Sequence, residues 1–119
     1  MKAMQSFLTF FYILDQGYNQ YNKDDLGGFL GAISPELWED GQPADKAIFN
    51  DWQKFSNPDT VNMTNLPEKV YAFLKYYEDK FGYDFSDVRL WLLTEGNETV
   101  VEKAYAKAQL MYQRFRYAN

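Results

Sequence analysis

Met4-Gln5-Ser6-Phe7-Leu8-Thr9-Phe10-Phe11-Tyr12-Ile13-Leu14-Asp15-Gln16-Gly17-Tyr18-Asn19-Gln20-Tyr21 decides the fold class. Met4, Phe7, Leu8, Phe11, Leu14, Tyr18 and Tyr21 recur at helical spacing, which places them on one broad face of a helix. The spacing predicts that helix from about residue 2 to about residue 22. Gly17 inside it costs roughly 1 kcal/mol relative to Ala, so a bend or fraying is expected there. The run Phe7 to Leu14 after Lys2 has the look of the apolar part of a signal peptide. No small-residue cleavage site follows it, and it is far shorter than the roughly 20 residues of a membrane span. It is read as an amphipathic core helix, and the protein as cytoplasmic. Asn62-Met63-Thr64 and Asn97-Glu98-Thr99 match the glycosylation pattern, and without export they are chance matches.

The same periodicity continues downstream. Asp24 or Asp25 is placed to cap a short helix through Ile33, although Gly27, Gly28 and Gly31 are costly there. That cost implies a return, and close approach of another backbone is the expected one. Ser34-Pro35-Glu36 reads as a helix start, broken by Asp40-Gly41 and Pro43. A further helix is expected from about Pro43 to Phe55, with Ala47, Ile48, Asp51, Trp52 and Phe55 sharing a side. The polar stretch 56–65 reads as loop, with Val61-Asn62-Met63 as a candidate extended piece. Leu66-Pro67-Glu68-Lys69 opens a helix with Val70, Phe73, Leu74, Tyr77 and Phe81 as its apolar stripe and Gly82 as its C-terminal cap. Ser86 or Asp84 caps a helix over Asp87–Leu93, with a short buried strand over Val88–Thr94 as the alternative reading. Asn97 caps the last helix, from about Glu98 to Tyr117. The expectation is a single all-α domain, residues 1–119: a compact bundle of five or six helices, with or without one short strand.

Composition removes most chemistry. The 119 residues contain no His and no Cys. Imidazole-dependent nucleophilic catalysis, the usual zinc sites, disulfides, and most haem and iron–sulfur ligation therefore have no residues to work with. The formal net charge is −5, which argues against a general nucleic-acid binder. The surplus is uneven. Residues 1–60 hold nine acids and four bases, and residues 61–119 hold eight of each. The excess lies mostly between Asp24 and Asp59, where it forms either a solvated set of helix caps or a face for a basic partner.

Asp24-Asp25, Glu39-Asp40 and Glu78-Asp79 are adjacent pairs that diverge by about 100° on a helix, so they do not converge as an acid–base couple. The calcium-loop spacing is absent from Glu36 to Ala47 and from Asp79 to Leu90. Gly27-Gly28-x-x-Gly31 is neither a phosphate loop nor a dinucleotide fingerprint. No catalytic, metal-binding or cofactor-binding residues are expected. The 10 Phe, 10 Tyr and 3 Trp exceed what the core must hold. Tyr18, Tyr21, Tyr76, Tyr83 and Tyr117 are therefore expected at its boundary, half-buried or available for contact.

Asp24-Asp25-Leu26-Gly27-Gly28-Phe29-Leu30-Gly31, Trp38-Glu39-Asp40-Gly41-Gln42-Pro43-Ala44-Asp45 and Asp51-Trp52 together resemble a group of small, acidic, mostly uncharacterised bacterial proteins. Members of that group look similar to immunity proteins that sit beside secreted toxins. The resemblance covers about residues 7–52. It implies a neutralising or binding role and brings no catalytic motif. The functional expectation is a non-enzymatic module that occludes a basic protein partner through Asp24, Asp25, Trp38, Glu39, Asp40, Asp45 and Asp51. It involves no cofactor, nucleic acid or membrane. The alternative is a structural protein without ligand, most simply a homodimer burying its surplus rings.

Overall fold

The computed structural model describes residues 1–39, 41–96 and 98–117, with side chains up to Phe115. Six α-helices lie among them: α1 Ala3–Gln20, α2 Asp24–Ile33, α3 Lys46–Ser56, α4 Leu66–Phe81, α5 Ser86–Glu95 and α6 Glu98–Tyr117. Two short 3-10 turns, Pro35–Leu37 and Pro58–Thr60, complete the order. Among the described residues there is no strand, only an isolated bridge between Glu39 and Gln42. Val88–Thr94 is helical, and Val61-Asn62-Met63 is not an extended element. There the Asn62 side chain accepts the Thr64 and Asn65 N–H groups, while Asn65 accepts that of Asn62, closing a turn that leads into α4. No described helix is long and apolar enough to cross a membrane.

α1 occupies the centre. Its middle is buried nearly all round, because Phe10, Ile13, Ser6 and Thr9 are enclosed as well as the expected face. The two buried hydroxyls are satisfied locally, with Thr9 donating to the Gln5 carbonyl and Ser6 to that of Ala3. α6 runs antiparallel along α1. Gln5 donates to Gln109 near one end, and Gln16 donates to the Val100 carbonyl near the other. Gly17 neither frays nor ends the helix. A Cβ there would lie 2.7 Å from Val88 Cγ2 and 3.1 Å from the Trp91 ring, so the glycine lets α5 approach α1.

The core is largely aromatic. Trp52 of α3 is fully buried and stacks on Phe10, with ring centroids 4.6 Å apart, while its indole N–H donates to Ser6 Oγ at 2.9 Å. Phe73 of α4 meets both rings edge-on at 5.3 and 5.5 Å, the arrangement that ring quadrupoles favour. The buried apolar side chains form one connected core, and the Cα radius of gyration is 13.2 Å. A single packed domain of this length has about 13.5 Å.

Several helix ends differ from the expected capping. Lys23, not an aspartate, holds the N-cap position of α2, and Asp24 and Asp25 fill its first turn, where they still complement the dipole. α3 begins at Lys46 rather than near Pro43, because Asp45 caps it by accepting the Ile48 N–H at 3.0 Å. At α5 neither Ser86 nor Asp84 holds the N-cap, which is Phe85 without a side-chain cap; Asp84, just before it, accepts both the backbone N–H and the hydroxyl of Ser86. Gly82 ends α4 at φ 77°, as its position predicts. The expected cap at Asn97 lies outside the described residues.

Candidate functional site

The strongest concentration of surface features lies where α3, α4 and the turn after α4 meet. Tyr77 has its ring in the core, and its hydroxyl donates to Asp51 of α3 at 2.7 Å. Burial, then the Asp51 carboxylate, holds the phenol proton far above its ordinary range. Around Tyr77 the rings continue outward. Phe81 meets it edge-on at 4.8 Å, Tyr83 stacks on it at 6.3 Å, and Tyr76 lies 5.8 Å away. Tyr76 in turn stacks on Phe55 at 5.3 Å. Phe81 is 54% exposed and Phe55 40%. The result is a strip of five rings, from Phe55 through Tyr76, Tyr77 and Phe81 to Tyr83, that reaches from the core to the surface.

Carboxylates stand beside this strip. Asp51 of α3 and the α3 N-cap Asp45 both act electrostatically on Tyr77, in its middle. Beside Tyr83, the Asp84 N–H donates to Asp25 at 2.7 Å, which brings the start of α2 to the strip. Asp24 is exposed next to it. Lys80 supplies the local cation. Its ammonium donates to the Tyr76 hydroxyl at 3.0 Å and lies 5.4 and 5.2 Å from the Tyr76 and Phe81 ring centroids. That hydrogen bond is the main cause raising the Lys80 pKa. The rings thus already present their faces to a cation.

The seven sequence candidates are distributed differently from one continuous face. Asp25, Asp45 and Asp51 lie by the ring strip, and Asp24 is exposed beside Asp25 in the first turn of α2. Trp38 is buried, stacked between Phe7 at 6.1 Å and Phe115 of α6 at 5.0 Å. Its stacking places the neighbouring, exposed Glu39 toward the C-terminal end of α6. Asp40 lies outside the described residues. Tyr76 and Tyr83 are half-buried at the boundary, as their positions suggest, whereas the Tyr117 side chain is outside the described residues. Periodicity assigned Phe81 and Phe55 to buried stripes. Both sit at helix ends, where the neighbouring element no longer covers the stripe.

Among the described residues no group of three or more acids is gathered in a way that could hold a metal ion. The buried-side ion pair of Arg89 with Glu78, backed by the Tyr71 hydroxyl, ties α5 to α4 and reads as structural. Comparison with protein-family models, with curated proteins and with solved structures returned no match.

Proposed function

We propose that this protein is a non-enzymatic binding module that captures a basic protein partner on the ring strip between α3, α4 and the α4–α5 turn. One observation carries the reading: five rings, two of them well exposed, lie beside Asp51 of α3 and Asp25 of α2. Tyr and other aromatic anchors dominate interface hot spots, and flanking acids steer a basic surface toward them. The lack of His and Cys, and the use of Asp45 and Asp51 in the protein's own hydrogen bonds, support binding rather than catalysis. The resemblance of residues 7–52 to immunity-type proteins supports occlusion of a toxin-like partner as the biological form of this binding.

The test is capture from the native cell, followed by calorimetry with the purified partner over a salt series. Affinity should fall steeply with salt. Phe81→Ala should weaken binding by at least tenfold, and Asp24→Lys should weaken it most at low salt. Salt-independent binding, or binding indifferent to both substitutions, overturns the proposal.

A further inference from the structure

A second surface lies on the other flank of α4. There Tyr71 and Glu78 receive Arg89 of α5, whereas Tyr76 and Tyr77 face α3 on the flank that bears the ring strip. α5 buries Val88, Trp91 and Leu92 inward. Leu90 and Leu93, one turn apart on its outward side, are 59% and 68% exposed. A helix that is apolar on both sides is ordinarily covered on both sides. The charges that flank the two leucines on α5, Asp87 and Arg89, are already paired. Arg89 is bound to Glu78 and lies 5.5 Å from the Tyr71 ring centroid, Asp87 pairs with Lys23 at 3.5 Å, and Lys75 pairs with Asp79 at 3.8 Å. Glu95 lines a separate groove together with Lys103.

We infer that α5 is the contact of a reversible homodimer, in which Leu90 and Leu93 pack antiparallel against the same two residues of a second copy. The charge distribution selects this occupant. On a chain of net charge −5, two copies repel wherever free acids meet, as they would across the ring strip with its flanking carboxylates. The α5 face is locally neutral. A two-fold axis crossing between residues 91 and 92 sets Leu90 against Leu93 of the second copy. The same register places Asp87 beside Gly96 and Arg89 beside Thr94 of the second copy, so no acid opposes an acid along the helix. An isologous contact needs this self-complementarity. The Asp87 carboxylate beside the leucines is already compensated by Lys23, so it offers little to select a basic partner. A helix of 10 residues is about 15 Å long, so the contact belongs to the small, weak class of interfaces.

Sedimentation velocity on the full chain, from roughly 5 μM to roughly 500 μM, reads the association directly, since weak interfaces dissociate in that range. The wild type should shift from monomer to dimer with concentration. Leu90→Glu with Leu93→Glu should raise the dissociation constant more than tenfold, with an unchanged circular dichroism spectrum. Leu110→Glu, at the 70% exposed leucine of α6, should leave association unaltered. A monomer throughout the range overturns the inference and leaves the face to another partner. A dimer that survives the double substitution, or that Leu110→Glu abolishes, overturns it equally.

Discussion

Substituting alanine for Gly17, for Gly28 and for Gly31 applies the same chemistry three times, with opposite expected outcomes. Gly28 and Gly31 lie in the interior of α2 with ordinary helical backbone, and none of the described residues comes within 4 Å of a Cβ built on either. Each pays the glycine penalty in a helix with no contact in return, so each alanine should stabilise by about 0.8–1 kcal/mol. Gly17 is the opposite case. Its Cβ would stand 2.7 Å from Val88 Cγ2, roughly 0.8 Å inside carbon contact distance. Separating α1 from α5 costs about 1–3 kcal/mol by the usual toll of overpacking, against about 1 kcal/mol of regained propensity. A net loss near 1 kcal/mol is expected. Urea unfolding followed by tryptophan fluorescence resolves both signs, as about 1 kcal/mol moves the midpoint by roughly 0.3–1 M. Val88→Ala supplies the internal control. Removing the clashing methyl should make Gly17→Ala markedly less costly than in the wild type, a positive coupling in the double-mutant cycle. Equal costs in the two backgrounds would refute the close-approach explanation. Destabilisation by Gly28→Ala with Gly31→Ala would refute an open outer face on α2.

Three further outcomes are expected. Trp52→Phe should cost more than Trp38→Phe, by about 1 kcal/mol in urea unfolding. Trp52 loses its bond to Ser6, whereas the buried Trp38 indole N–H has no acceptor among the described residues, so its removal deletes an unpaired donor. Arg89→Met should destabilise by about 2–3 kcal/mol, because the Glu78 carboxylate would keep only a long bond from the Phe85 N–H. Adding Glu78→Gln to Arg89→Met should recover part of that loss in the same assay, and no recovery would argue against the pairing as its cause. The Asp84 carboxyl is held below its ordinary value, chiefly by the Ser86 hydroxyl and then by the Ser86 N–H. A depressed folded pKa gives stability that is complete above the unfolded value of about 3.9 and is lost as pH falls through the lower folded one. The gap between wild type and Asp84→Asn should therefore close as unfolding is measured from neutral pH into acid, and a gap independent of pH would contradict it.

The helices were legible because helical patterning repeats along the whole chain. α4 shows this most clearly, with Leu66-Pro67 at its start, Val70, Phe73, Leu74 and Tyr77 buried, and Gly82 in the left-handed conformation at its end. α5 was ambiguous for a physical reason. Its outward side carries Leu90 and Leu93, so amphipathic period was nearly absent and length alone separated helix from buried strand. The glycines of α2 do not serve the expected backbone approach: among the described residues Gly27 meets a side chain, the Tyr18 ring at 3.1 Å, and Gly28 and Gly31 meet nothing within 4 Å. The site was less legible than the fold. Composition located the acid excess in the first half, but the rings that complete the strip, Tyr76, Tyr77, Phe81 and Tyr83, come from the second. No pattern within one segment could place the α2 and α3 carboxylates around them, because that juxtaposition depends on how α1 packs its neighbours.

The acids of the first half therefore divide by what they already do, and this decides how their role in binding is tested. Asp45 caps α3 through the Ile48 N–H, and Asp51 accepts from Tyr77. Reversing Asp45 would remove a cap worth about 0.5–2 kcal/mol and loosen the start of α3. A weaker complex would then report on folding as much as on recognition. Among the described residues Asp24 has no bonded partner, so it has the helix dipole to lose, about 0.3–1 kcal/mol at an exposed first turn. Asp24→Lys thus probes the charge of the surface while leaving the rings in place, and Phe81→Ala probes the rings while leaving the charge. If the complex forms by steering followed by ring burial, the first substitution acts mainly on the association rate and its salt dependence. The second acts on the dissociation rate. A protein held together by acidity alone would respond to Asp24→Lys and ignore Phe81→Ala.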